Sequence, residues 1–255
     1  VTGVAGAVVL ALAAAGAGTA AGADGWRPLS NGKDLTGWET YLGKQPGSDA
    51  EPIGAGRDPE GNFGVQDGAI HIVGRRVGAL TTTESFGNFR LRLEFKWGER
   101  RWPPRENAKR NSGVIYHAVG PHGAHSGNWM RGFQSQVQEG DCGDFHSLDG
   151  ATIDVEAATL DLDGTKLLRY ALGAAVQVGV HQRVLHAQDA EKPGWNVMEI
   201  VARGDTVEHI VNGTTVFRAT NLRQPDGTAL TKGRIQLQSE GAEVFYRNIE
   251  IKPLE

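Results

Sequence analysis

The chain has 255 residues, 39% of them apolar and 22% charged, with a formal net charge of −4. This is the composition of a globular chain rather than a disordered one, and it lacks the basic field that nucleic-acid binding needs. A single cysteine, Cys142, excludes an intramolecular disulfide scaffold and a cysteine-rich zinc module.

At the amino end, residues 4–21 (VAGAVVLALAAAGAGTAA) are uncharged, and Ala21-Gly22-Ala23 before Asp24 has the form of a small-residue cleavage site. The stretch is short for a membrane span. It reads as a signal peptide, 1–23, ahead of an exported mature chain, 24–255, periplasmic or extracellular. No stable membrane insertion is expected after cleavage.

Beyond it the recurring pattern is period-two alternation in short runs separated by Gly, Asn-Gly and Asp-Gly turns. Strands are expected at 63–65 and 69–73 around Gln66-Asp67-Gly68. The run 89–97 puts Phe89, Leu91, Leu93, Phe95 and Trp97 on one face and Arg90, Arg92, Glu94 and Lys96 on the other. Strands follow at 112–118 and 133–139, the second aligning Gln134, Gln136 and Gln138. The segment 195–202 leads into a hairpin, 206–211 and 214–218, around Asn212-Gly213. Strands at 234–238 and 244–252 close the chain. Helix is considered only at 160–176. Two long loops, basic 98–110 and irregular 140–194, are left as the places where a site would sit. No linker and no repeat divides the chain, so 24–255 reads as one all-β domain, a jelly-roll β-sandwich with little helix.

The alternating polar faces point to a sugar ligand. Glutamines 134, 136, 138, 236 and 238 offer donors and acceptors that suit hydroxyl groups, and tryptophans 97, 102, 129 and 195 offer flat apolar surfaces for a pyranose ring.

Six segments, in order, resemble the 3-keto-disaccharide hydrolase family: WRPLSNGKDLTGW (26–38), FGNFRLRLEFKW (86–97), NSGVIYH (111–117), FQSQVQEGDCGDF (133–145), KPGWNVMEIVARGDTVEHIVNG (192–213) and GRIQLQSEGAEVFYRNIEIKPL (233–254). The resemblance implies a concanavalin A-like jelly roll, export, and action on glycosides already oxidised at C3 of the sugar. It departs at Gln134, where family members often have Glu, at His117, where an Arg often follows the NSG strand, and over 157–190, which looks like a divergent loop.

A C3 ketone acidifies the hydrogen on C2. A base removes it, the aglycone oxygen leaves C1 by β-elimination, and water adds back. Such a site needs a base, a group to stabilise the enolate oxygen, and an acid for the leaving group. The stretch 138–146 (QEGDCGDFH) concentrates Glu139, Asp141, Asp144 and His146 at a strand end. Glu139 is the expected base and His146 an acid or base, with Lys96 or Arg92 on the enolate. Arg92, Glu94, Asn111, His117, Gln136, Gln138, Trp195, Gln236 and Gln238 are the candidates for holding the sugar. No cofactor is assigned; a divalent metal on Asp141, Asp144 and His146 stays open as an alternative. The stretch Ile153-Asp154-Val155-Glu156 lacks the first carboxylate of the glucanase pattern because Thr152 stands there, and Asp161-Leu162-Asp163-Gly164 lacks the later ligands of a calcium loop. The alternative function is a non-catalytic carbohydrate-binding module on the same sandwich.

Overall fold

A computed structural model describes residues 24–255; the leader expected at 1–23 lies outside the described residues. Among the described residues there is no helix, and the segment considered for one, 160–176, belongs to strands and a turn. The strands are β1 (Arg27–Pro28), β2 (Trp38–Leu42), β3 (Gly54–Ala55), β4 (Phe63–Gln66), β5 (Ala69–Ile72), β6 (Gly78–Thr82) and β7 (Phe89–Arg101). Then come β8 (Asn111–Val119), β9 (Arg131–Gln138), β10 (Phe145–Leu148), β11 (Thr152–Leu162), β12 (Thr165–Tyr170), β13 (Val176–Val180) and β14 (Val184–Leu185). The chain ends with β15 (Asn196–Arg203), β16 (Thr206–Val211), β17 (Thr214–Arg223), β18 (Arg234–Ser239) and β19 (Ala242–Pro253).

Two antiparallel layers face each other. The first runs β4-β5-β19-β7-β15-β16-β17, with β1 on the outer part of β19. The second runs β3-β2-β6-β18-β8-β9-β10. β11 joins them along one side: it pairs with β17 of the first layer and forms a hairpin with β12, and β14, parallel to β12, pairs with β10 of the second. Half of the neighbours in this order are distant in sequence, as in a jelly roll. The irregular loop expected over 140–194 is therefore largely strand.

The alternation of β7 is realised as read: Phe89, Leu91, Leu93 and Phe95 are buried between the layers against Val114, Tyr116, Phe133, Val137 and Leu237. Each fully buried Leu or Phe contributes about 1.5–3 kcal/mol. Two of the polar side chains in this core pair with each other and with the backbone. Tyr116 donates its hydroxyl to His209 Nε2 (3.0 Å), and His209 Nδ1 donates to Gly143 O (3.0 Å).

β8, β9 and β18 are buried on both faces. Their outward face is partly roofed by residues 120–130. Trp129 and Met130 pack there on Val77, Ala79, Ile115, Ala118 and Leu148 to form a small second core. The unroofed remainder of that face is the floor of the site.

Candidate active site

Strand register arranges the outward side chains of the second layer in rows. One row reads Glu39, Thr81, Gln236, Ile115, Gln134 and His146, from β2 across to β10. The next places Gly113 opposite Gln136, with Gln238 beside them on β18. In the third, Asn111 faces Gln138, and Glu240 continues the alternation of Gln236 and Gln238 just past the end of β18.

The glutamines form one hydrogen-bonded chain. Gln238 Nε2 donates to Gln134 Oε1 (3.0 Å), and Gln134 donates in turn to Gln136 Oε1. This bridge passes directly over Gly113. A Cβ there would lie 2.4 Å from Gln238 Oε1 and 2.6 Å from Gln134 Nε2, so the backbone must be bare for the two amides to meet. Gln138 is held from its other end, donating to Asp141 Oδ2 (2.5 Å).

Three buried atoms on this face have no partner: Gln238 Oε1, Asn111 Oδ1 and His146 Nε2. Buried polar atoms are rarely left so, and three on one face mark a surface shaped for a polar ligand. Burial, reinforced by the nearby charge of Arg183, pushes the His146 pKa down to about 4. The imidazole is therefore neutral at ordinary pH, the state in which it accepts a proton. At the opposite end of the floor, burial raises the pKa of Glu240 against the opposing pull of Arg105, whose Nη2 lies 2.6 Å from its carboxylate. From β10 to β18 is three strand spacings, roughly 14 Å. The groove is thus long enough for two rings. Its Glu240 end opens into a cavity of about 300 Å3 between the loops 102–110 and 120–130, with Trp129 and Asn128 on the wall.

The site expected from sequence is split by this arrangement. Gln136, Gln138, Gln238, Asn111 and His146 come together on the floor. Gln236 lies on the same face but is fully buried and tied, donating to Thr81 Oγ1 (2.9 Å) and accepting from Met130 N (3.1 Å); it anchors the roof and does not face a ligand. Arg92, Glu94, Lys96 and Trp195 are on the outside of the first layer, across the core. Arg92 pairs with Glu250 (2.8 Å) and lies over Trp26 (4.4 Å). Glu94 accepts from Arg247 (2.8 Å) and Asn248 (2.7 Å). Arg247 and Lys96 stack on Trp195 at 3.9 and 5.1 Å. Arg92, Glu94 and Trp195 brace the outer surface, away from the amide floor, and Lys96 also reaches the end cleft that holds Glu139.

His117 does not reach the floor. It occupies a bulge in β8 with φ +49°, which turns its ring away from the floor and into the core beside Phe89, 5.6 Å between centroids. Burial pushes its pKa to about 4.

Glu139 lies beside Lys96 in a separate cleft of about 510 Å3 at the end of the sandwich. Its carboxylate is committed, accepting from Arg110 N (2.7 Å), Nε (2.9 Å) and Nη2 (2.5 Å). Burial alone would raise its pKa, but the Arg110 bonds outweigh it and hold the acid below its usual value. This is the setting of an ion pair, and its partner, Arg110, is one that local sequence does not show.

Asp141 and Asp144 do not fit the metal alternative. Asp144 is fully buried and bound by Arg183 Nη2 (2.5 Å) and Nε (2.7 Å) and by His186 N (2.7 Å) and Nδ1 (2.5 Å). Asp141 is shared by Lys109 (2.9 Å), Gln138 and Arg183 (3.3 Å). Guanidinium and ammonium groups already stand where a cation would. Among the described residues, no group of three His, Cys, Asp or Glu side chains is placed to hold one.

Glu240 and Gly113 are the residues that sequence reasoning missed. Glu240 was within reach, since the alternation Gln236, Gln238 continues to it; Gly113 carries its signal only once the amides above it are seen.

A family model described as the 3-keto-alpha-glucoside-1,2-lyase-like domain matches residues 25–252. No curated protein matches the sequence. Two solved structures from Parabacteroides distasonis ATCC 8503, both provisionally named glycosyl hydrolases, are similar. One has 18% identity and a TM-score of 0.54, covering 91% of this chain and 95% of the other. The second has 22% identity and a TM-score of 0.53, covering 90% and 99%. At these identities the likeness shows the shared fold.

Proposed function

Because the chain belongs to the 3-keto-alpha-glucoside-1,2-lyase-like family, we propose that it cleaves glycosides already oxidised at C3, with the keto-sugar lying on the amide floor of the second layer. The observation that carries this reading is the set of buried, unpartnered atoms facing that floor, His146 Nε2, Gln238 Oε1 and Asn111 Oδ1. Gln238 Oε1 and Asn111 Oδ1 are acceptors for sugar hydroxyls. The Gln136 amide nitrogen, which the glutamine chain leaves uncommitted, is a donor for the C3 oxygen.

Neutral His146 takes the proton from C2, and the electron pair moves to the C3 oxygen as an enolate stabilised by that amide donor. The enolate then re-forms the ketone and expels the aglycone oxygen from C1, leaving a C1–C2 double bond. The imidazolium returns its proton to the departing oxygen. Water adds across the double bond, hydroxyl to C1 and proton to C2, and the net reaction is hydrolysis. The charge that develops on bound substrate raises the proton affinity of His146 at the moment it is needed. The leader-like segment 1–23 supports action outside the cytoplasm.

The test is turnover of 3-keto-trehalose and of a 3-keto-phenyl glucoside in deuterated water, with controls for direct exchange. Deuterium at C2 of the released sugar is the expected result. Release without label points to direct displacement, and binding of unoxidised sugar without turnover of either compound points to a binding module.

A further inference from the structure

The floor continues past β10. β14 pairs with β10 through Phe145 and Val184, and that register sets Arg183 opposite His146. Val184 is buried in the core, so alternation turns Arg183 to the outward side, in the row that runs from Glu39 to His146. Phe145 also pairs with Ser135, which sets Asp144 opposite Gln136 in the next row; there Gln136 N donates to Asp144 O (2.9 Å). Adjacent strands are about 4.8 Å apart, so Arg183 starts one strand from His146 and two from Gln136. Its side chain then crosses into the Gln136 row. Nε lies 2.7 Å and Nη2 2.5 Å from Asp144 Oδ2, and Nη2 reaches Asp141 Oδ1 at 3.3 Å. Asp141 in turn holds Gln138. All of these contacts use one edge of the guanidinium. Nη1, on the other side, has no partner among the described residues. Asp144 is fully buried beneath an Arg183 side chain that is 33% exposed, so the uncommitted end is the outer one.

We propose that Arg183 is a further catalytic residue, its Nη1 binding the C3 oxygen together with the Gln136 amide as the enolate forms. The proposal rests on the reading that the keto-sugar lies on the amide floor with His146 as its base. In that step the C2–H bond breaks and the proton goes to His146. The electron pair forms a C2–C3 double bond, and the carbonyl π pair moves onto the C3 oxygen. A donor aimed at that oxygen and already fixed in place stabilises the new charge without reorganising. Arg183 meets this condition because two carboxylates hold its planar fork. The same carboxylates offset its charge, which suits a donor for transient negative charge better than a trap for anionic ligands.

The test separates enolate formation from cleavage. Its first probe is the 3-keto derivative of 1,5-anhydroglucitol, which has hydrogen where the aglycone would be, so reaction stops at the enolate. Exchange of its C2 hydrogen in deuterated water is followed by NMR beside turnover of 3-keto-trehalose. Arg183→Lys keeps a cation against Asp144 and loses Nη1. It is expected to slow exchange and kcat together by about 10²–10³-fold, the scale of one lost oxyanion donor, with a smaller change in KM. In Arg183→Ala, added guanidinium ion at non-denaturing concentration is expected to restore exchange by at least about tenfold. Exchange in Arg183→Lys within a few-fold of the wild type overturns the proposal, whether or not cleavage slows. A loss in Arg183→Ala that guanidinium leaves untouched also overturns it, because Arg183 is then a clamp alone. In both cases wild-type turnover leaves the reaction standing. A wild type that neither exchanges nor cleaves overturns the reaction and the role of Arg183 with it.

Discussion

Glu139 and His146 lie close together in sequence and end in opposite chemical states. Three Arg110 nitrogens hold the Glu139 carboxylate ionised and turned into the end cleft. His146 is buried on the amide floor with Nε2 free. A carboxylate whose lone pairs are already occupied gives up bonds before it can take a proton, whereas a neutral imidazole does not. Replacing His146 by Gln is therefore expected to lower kcat about 10²–10⁴-fold, the usual scale for loss of a general base, with the fold retained by circular dichroism. Glu139→Gln is expected to keep kcat within a few-fold and to reduce stability by about 1 kcal/mol, the scale of a partly exposed charged hydrogen bond. The reverse ranking would move the base to the end cleft. The acid limb of kcat/KM should also fall near pH 4, where His146 gains its proton, and not near the ordinary imidazole value of 6.5.

A strand's own sequence shows that it has two faces, but not which layer it will join. The run 89–97 and the strands carrying the glutamines alternate apolar with polar and are strands in the structure, the first continuing to Arg101 into what reads from sequence as the loop 98–110. Arg92, Glu94 and Lys96 nevertheless face solvent on the first layer, while Gln134, Gln136 and Gln238 face the groove of the second. The difference lies in pairings between segments far apart in the chain, so the sequence alone merged two faces into one site. β10 to β14 were missed for another reason. β11 buries only Ile153, Val155 and Ala157 before its outer half projects with β12, and so short an apolar run resembles a loop. Two outcomes test the element-level account. Gly113→Ala places a methyl under the amide bridge, and the flexible glutamines can yield at a cost of about 1–3 kcal/mol. KM for the keto-glycoside should rise by tenfold or more while kcat changes less, because the amides bind the sugar and do not move the proton; a kcat effect as large as that of His146→Gln would contradict it. Asp144→Asn removes the charge that clamps residues 183–186 to β10, leaving Arg183 with only its longer pair to Asp141. Loss of one member of a buried pair costs about 3–5 kcal/mol, and an unchanged urea midpoint would show that the clamp is dispensable.

Among the described residues, three histidines are pushed down to about 4: His146 on the floor, and His117 and His209 in the core. Burial is the leading cause in each, and the same packing that builds the sandwich thereby makes it acid-sensitive. In the unfolded chain each imidazole has its ordinary pKa of 6.5. Between pH 6.5 and 4 the unfolded state binds more protons than the folded one, so stability is fully present above pH 6.5 and falls as pH drops toward 4. Each group contributes about 1.4 kcal/mol per pH unit where its two states differ fully. The urea midpoint is expected to be nearly flat above pH 7 and to decline steeply between pH 6 and 4.5, with a proton difference approaching three. His117→Asn isolates one of them. His117 has φ +49°, a conformation that Asn tolerates better than most residues, so the bulge is kept while the titrating group is removed. The slope should then fall by about one proton, and the loss of stability at pH 7 should be small beside the gain at pH 5. A slope unchanged in His117→Asn would mean that this imidazole protonates without unfolding the core. The bulge that points it inward would then have to open to solvent in the native state.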